Sequence, residues 1–163
     1  VRIQKDYTCL PDLANHALLQ YEQLRKGNAP IANMLNAESA LRDGYFIIEY
    51  VPYEIDPKRW QDRAFYELDT ETQNLLEKIK KIFEIAFAYH IGIDLHPANL
   101  RMKDDAEIVI TDFCEEHFDE QTFEGHMSDR LKLWSNHQLI QEFLMGNLPT
   151  SFQKLHRSML VSN

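Results

Sequence analysis

The chain has 163 residues, 44% of them hydrophobic and 26% charged, which is enough to bury a core and too apolar for a disordered segment. A formal charge of -9 excludes broad electrostatic attraction to nucleic acid or to an anionic membrane surface. No window approaches the roughly 20 apolar residues that a bilayer span needs, and Cys9 and Cys114 lie outside any disulfide framework or zinc spacing. A soluble, reduced, cytoplasmic protein is expected.

Val1 to Lys5 alternates apolar and polar residues as a half-buried strand does. The chain opens at Val1 inside that strand, so an upstream segment is expected. From Pro11-Asp12 the apolar positions Leu13, Ala17, Leu18, Tyr21 and Leu24 recur at helical steps, ending at Gly27-Asn28. Pro30 to Leu35 and Gly44 to Val51 are expected to form two short antiparallel strands, the second rich in aromatic and β-branched residues. Pro52 to Arg63 suits a connector. A wide apolar stripe through Leu75, Leu76, Ile79, Ile82, Phe83, Ile85, Ala86 and Tyr89 predicts a buried helix over residues 70 to 89. Short strands are expected at Leu100 to Met102 and Ile108 to Thr111, around the turn Lys103-Asp104-Asp105. Beyond them, Phe118 to Gly125 reads as acidic and irregular, with its acids forming a solvated face, and Leu131 to Leu144 and Ser151 to Leu160 read as helices.

Between the long helix and these strands lies Asp94-Leu95-His96-Pro97-Ala98-Asn99, a polar interruption of an apolar run. Alone it is a turn, since Asp, Pro and Asn populate loops for local hydrogen-bonding reasons. The hairpin that follows brings Asp112 toward Asp94 and Asn99. A carboxylate to orient an attacking hydroxyl, plus a carboxamide and a second carboxylate as hard oxygen ligands for Mg2+, meets the needs of phosphoryl transfer.

In this spacing the chain resembles the protein-kinase-like superfamily, whose catalytic loop sets an asparagine five positions after an aspartate and places an Asp-Phe-Gly aspartate after the next hairpin. Here the second motif reads Asp112-Phe113-Cys114. The loop form is similar to the D-L-H-P-x-N of aminoglycoside and choline phosphotransferases. Residues 79 to 113 are also similar to small phage-encoded and bacterial effector kinases. The resemblance implies an α+β, two-lobed fold with a partial N-lobe at 1 to 51 and a shortened helical C-lobe at 52 to 163. It implies ATP and Mg2+ as cofactors, Asp94 as catalytic base, and Asn99 and Asp112 as metal ligands. Glu22 falls where the family's helical glutamate stands, with Lys5 as its partner; Gln4 is the competing alignment and would make the chain a pseudokinase. The backbone of Glu49, Tyr50 and Val51 would read the adenine, and His96 would approach a phosphate. The implied acceptor is a protein hydroxyl, of a host protein in the effector case, with a small-molecule hydroxyl as the alternative.

The pattern is incomplete. Gly92 stands where the family has histidine, with His90 two positions earlier, and Cys114 replaces a glycine. No Gly-rich loop and no Ala-Pro-Glu motif occurs, and about fifty residues follow Asp112, so a minimal kinase is implied. The histidines show no zinc-ligand spacing.

Overall fold

The computed structural model describes residues 2–4, 11–112 and 122–161, with side chains from residue 15 onward. Lys5, Phe113, Cys114 and the acidic stretch up to residue 121 lie outside the described residues.

Strand β1 (Arg2–Gln4) pairs antiparallel with β2 (Phe46–Ile48), Ile3 opposite Ile47. Between them in sequence runs helix α1 (Pro11–Lys26), which buries Ala17, Tyr21 and Leu24 and carries Arg25 and Lys26 in its last turn, where cations suit the helix dipole. The helix ends against a close approach: a Cβ on Gly27 would lie 2.0 Å from the Tyr89 hydroxyl. Any larger residue there would displace the ring that joins this helix to the long one below.

The segment 30–35 departs from the expected strand. It forms only isolated bridges, Ile31 with Ile110 and Met34 with Ile48. Its backbone donors go to different partners in turn: Ala32 N–H to the Ile110 carbonyl, Met34 N–H to the Tyr21 hydroxyl and Leu35 N–H to the Ile47 carbonyl. Because these donors turn to Ile110, to α1 and to β2 within four residues, no continuous ladder develops. The same segment fastens the first sheet to the second. A short helix α2 (Ala40–Asp43), closed by Gly44 at φ 75°, leads into β2.

The second sheet is antiparallel in the order β3 (Tyr53–Glu54), β4 (Leu100–Met102), β5 (Ile108–Ile110). From sequence β3 falls within the Pro52 to Arg63 connector; its residues are exposed, so no burial pattern marks them. Helix α3 spans Thr70–Tyr89, as its stripe predicts, and buries Leu76, Ile79, Ile82, Phe83 and Ala86. Asp69 caps it by accepting the Thr72 N–H at 2.7 Å.

Three helices follow: α4 (Phe123–Lys132), α5 (Gln138–Leu144) and α6 (Thr150–Val161). Phe87 of α3 meets Phe123 and Phe152 edge-on at 5.1 and 4.6 Å between centroids, which locks α3, α4 and α6 together. Two expectations are corrected here. Phe123 to Gly125 is helical, not irregular, and the helix expected over 131–144 is broken between Leu133 and His137. Among the described residues, the buried hydrophobic side chains form one continuous cluster running from Ala17 to Phe152. The fold is therefore mixed α+β, with small antiparallel sheets and a helical majority. Among the described residues no helix is long and apolar enough to cross a membrane.

Candidate active site

The polar loop is set by the way α3 stops. His90 adopts a left-handed conformation at φ 52°, and its N–H returns to the carbonyls of Ala86 and Phe87. The chain then leaves the helix with Ile91, Ile93 and Leu95 all buried. Asp94 stands between two of these anchors, its side chain 21% exposed. The buried residues on either side, Ile93 and Leu95, thus fix where the carboxylate emerges.

Asn99 closes the loop. Its side-chain amide donates to the Asp94 main-chain carbonyl at 3.0 Å, which commits the NH2 group and leaves Oδ1 as the acceptor face. The Asn99 carbonyl accepts both the N–H and the hydroxyl of Thr111, at 2.9 and 3.0 Å. This agrees with the β4–β5 register, in which Leu100 faces Ile110. Asp112 follows Thr111 directly, so the carboxamide and the second carboxylate belong to neighbouring backbone positions. An amide oxygen and a carboxylate are both oxygen donors of the kind Mg2+ takes, its remaining ligands ordinarily being water and phosphate oxygens. Among the described residues no cluster of three or more His, Cys, Asp or Glu side chains could hold a metal ion.

Helix α4 supplies what the sequence reading missed. The donors His126, Arg130 and Trp134 recur at four-residue spacing, on one helical face continued just past the helix end. His126 Nε2 donates to the Ile93 carbonyl at 3.3 Å, Arg130 Nε pairs with the Asp94 carboxylate, and Trp134 Nε1 donates to the Leu95 carbonyl at 2.9 Å. Three successive loop residues are therefore held from one side. The spacing was visible in the sequence, but nothing there indicated what it faced.

The remaining candidates are spread more widely. His96 caps the 3-10 turn Pro97–Asn99, its Nδ1 accepting the Ala98 N–H at 3.1 Å, which leaves only Nε2 of the exposed ring for other contacts. Glu22 is exposed on α1, between the buried Tyr21 and Leu24. Lys5 lies outside the described residues, and Gln4 belongs to β1.

In the linker after β2, Glu49 is structurally committed. Its N–H donates to the Asn33 carbonyl, its carboxylate accepts the Asn33 N–H at 2.9 Å, and Lys103 Nζ lies 3.2 Å away. Burial pushes the Glu49 carboxyl upward, but the Asn33 N–H and the Lys103 ammonium outweigh it and hold the group below its usual value. Tyr50 turns outward and is 66% exposed, whereas Val51 is buried. Among the described residues neither the Glu49 carbonyl nor the Val51 N–H has a partner, so the linker offers an acceptor and a donor two residues apart.

No protein-family model matches the chain, and no curated protein matches it.

Proposed function

We propose that the chain is a minimal kinase-like phosphotransferase that moves the γ-phosphoryl group of ATP to a hydroxyl, in the first instance on a protein. The observation that carries this reading is the closed loop itself: Asn99 bonded to the Asp94 carbonyl through its side chain and to Thr111, the neighbour of Asp112, through its main chain. That connectivity supports one site in which the three groups act together. The α+β architecture, with a strand pair and helix ahead of a helical remainder, is compatible with two lobes meeting at the 49–51 linker.

In this reading the acceptor hydroxyl approaches Asp94, which takes its proton as the hydroxyl oxygen bonds to the γ-phosphorus and the bond to the leaving diphosphate breaks. Asn99 and Asp112 hold Mg2+, which offsets the charge of the phosphates. The Glu49 carbonyl and Val51 N–H receive the 6-amino group and N1 of adenine. Lys5 with Glu22 anchors the α- and β-phosphates, and His96 Nε2 is available to a phosphate oxygen.

The Arg130–Asp94 ion pair favours a second reading, in which the carboxylate is structural and the chain is a pseudokinase that binds a protein partner. Labelled ATP with Mg2+, a cell lysate and a panel of hydroxyl-bearing small molecules distinguishes the cases, run beside Asp94→Ala and Asp112→Ala. Protein label lost in both variants is the expected result. Label on small molecules instead would point to an aminoglycoside- or choline-type acceptor. No transfer, with no rise in melting temperature on adding Mg·ATP, would overturn both enzymatic readings and leave the binding module.

A further inference from the structure

Strand side chains alternate between faces, and β4 uses the two faces differently. Leu100 is fully buried, and Met102 lines a cavity with Leu75 and Lys78 of α3. Arg101 is thrown to the opposite face, toward the linker. There its Nε donates to the Val51 carbonyl at 2.6 Å and its Nη2 to the Pro52 carbonyl at 2.9 Å, while Nη1 lies 3.5 Å from the Glu54 carboxylate. The guanidinium fork holds two consecutive carbonyls at once, a geometry that a lysine ammonium cannot reproduce.

The position of this clamp matters because β4 begins immediately after Asn99. One residue therefore ties the linker to the strand that leaves the candidate catalytic loop. By occupying the Val51 carbonyl it also reduces what the linker offers a base, leaving the Glu49 carbonyl as acceptor and the Val51 N–H as donor. Resting on the kinase reading above, we infer that Arg101 is a positioning residue for the nucleotide: it holds the 49–52 backbone in the conformation that receives the base and takes no part in the transfer itself.

The test compares wild type with Arg101→Ala, Arg101→Lys and, as a control that leaves the carbonyl bonds intact, Glu54→Ala. Three quantities are read: the Mg·ATP dissociation constant, kcat, and amide hydrogen exchange of residues 49–54. Loss of two charge-assisted hydrogen bonds on a partly buried linker should weaken Mg·ATP binding about tenfold in Arg101→Ala. The lysine variant should fall between it and wild type. Exchange in the linker should rise in the same order, with kcat at saturating ATP changed by less than about twofold, as expected for a loss of binding alone, and Glu54→Ala should match wild type. Arg101→Ala that binds as tightly as wild type, with unchanged linker exchange, overturns the inference alone. A wild-type protein that binds no Mg·ATP overturns the kinase reading and this role with it. A fall in kcat with unchanged affinity would also overturn it, because it would assign Arg101 to the transfer step.

Discussion

Asp94 owes its orientation to a side chain that the sequence supplies 36 residues later. Both members of the Arg130–Asp94 pair are about four-fifths buried, so the guanidinium directs the carboxylate more firmly than a surface pair would. On the proposed kinase reading, removing it should affect the step that needs an aligned carboxylate and spare the binding of nucleotide. Arg130→Gln is expected to lower kcat by roughly tenfold or more with KM for ATP unchanged, and Asp94→Asn to lower kcat by at least about a hundredfold. Steady-state kinetics on purified variants checks both; a rise in KM without a fall in kcat would assign Arg130 to binding instead. The contrast between these residues explains what could be read in advance. Asp94, Asn99 and Asp112 stand out because the proposed phosphoryl transfer would demand oxygen groups at a fixed spacing within one contiguous segment. Arg130 acts across space, and an arginine on a polar helix has the same appearance whether it meets solvent or a carboxylate.

At the scale of elements, legibility follows the nature of the buried face. Helix α3 and the strands β4 and β5 present apolar faces, so periodicity located them almost to the residue. Helix α4 was partly lost because its working face is polar: His126 and Ser128 are buried yet bonded to other elements, and the stretch reads as an acidic loop. The break after it had no apolar signature either. Trp134 and Ser135 leave the helix to meet the connector, where the Trp134 carbonyl accepts Trp60 Nε1 at 2.7 Å and Ser135 Oγ donates to the Gln61 carbonyl at 3.1 Å. Helical propensity over 131–144 yields to those buried hydrogen bonds. The local signal that does mark α4 is Thr122, whose Oγ1 accepts the Gly125 N–H at 3.1 Å. Thr122→Ala should cost about 1 kcal/mol in a denaturant titration. Because α4 carries the loop clamp, the same variant should raise hydrogen exchange across residues 93–95. An unchanged loop would mean that the clamp does not depend on where the helix starts.

Across the whole molecule, the C-terminal half converges on a single imidazole. His156 of α6 is fully buried between Ser128 of α4 and Gln141 of α5, with 2.7 Å on each side. The Gln141 amide donates to the Ser135 carbonyl, so its Oε1 faces the ring and Nε2 of His156 carries the proton; Nδ1 then accepts the Ser128 hydroxyl. Every lone pair and proton is satisfied by the neutral ring. Burial pushes the His156 pKa down to about 4, with Lys132 and Arg157 adding to the effect and Glu142 opposing it. An unfolded chain would protonate this histidine near pH 6.5, so between about pH 6.5 and 4 the unfolded state binds the extra proton and folding loses free energy. Stability should therefore be full above about pH 6.5 and decline as pH falls toward 4, by at most roughly 3 kcal/mol from this group. Urea midpoints measured from pH 7.5 to 4.5 would follow that decline in the wild type. His156→Gln, which cannot titrate, should begin from a lower midpoint because it leaves the network incompletely bonded, and should vary less over the same interval. Parallel pH profiles for the two proteins would exclude the buried imidazole as the source of acid sensitivity and transfer it to the carboxylates.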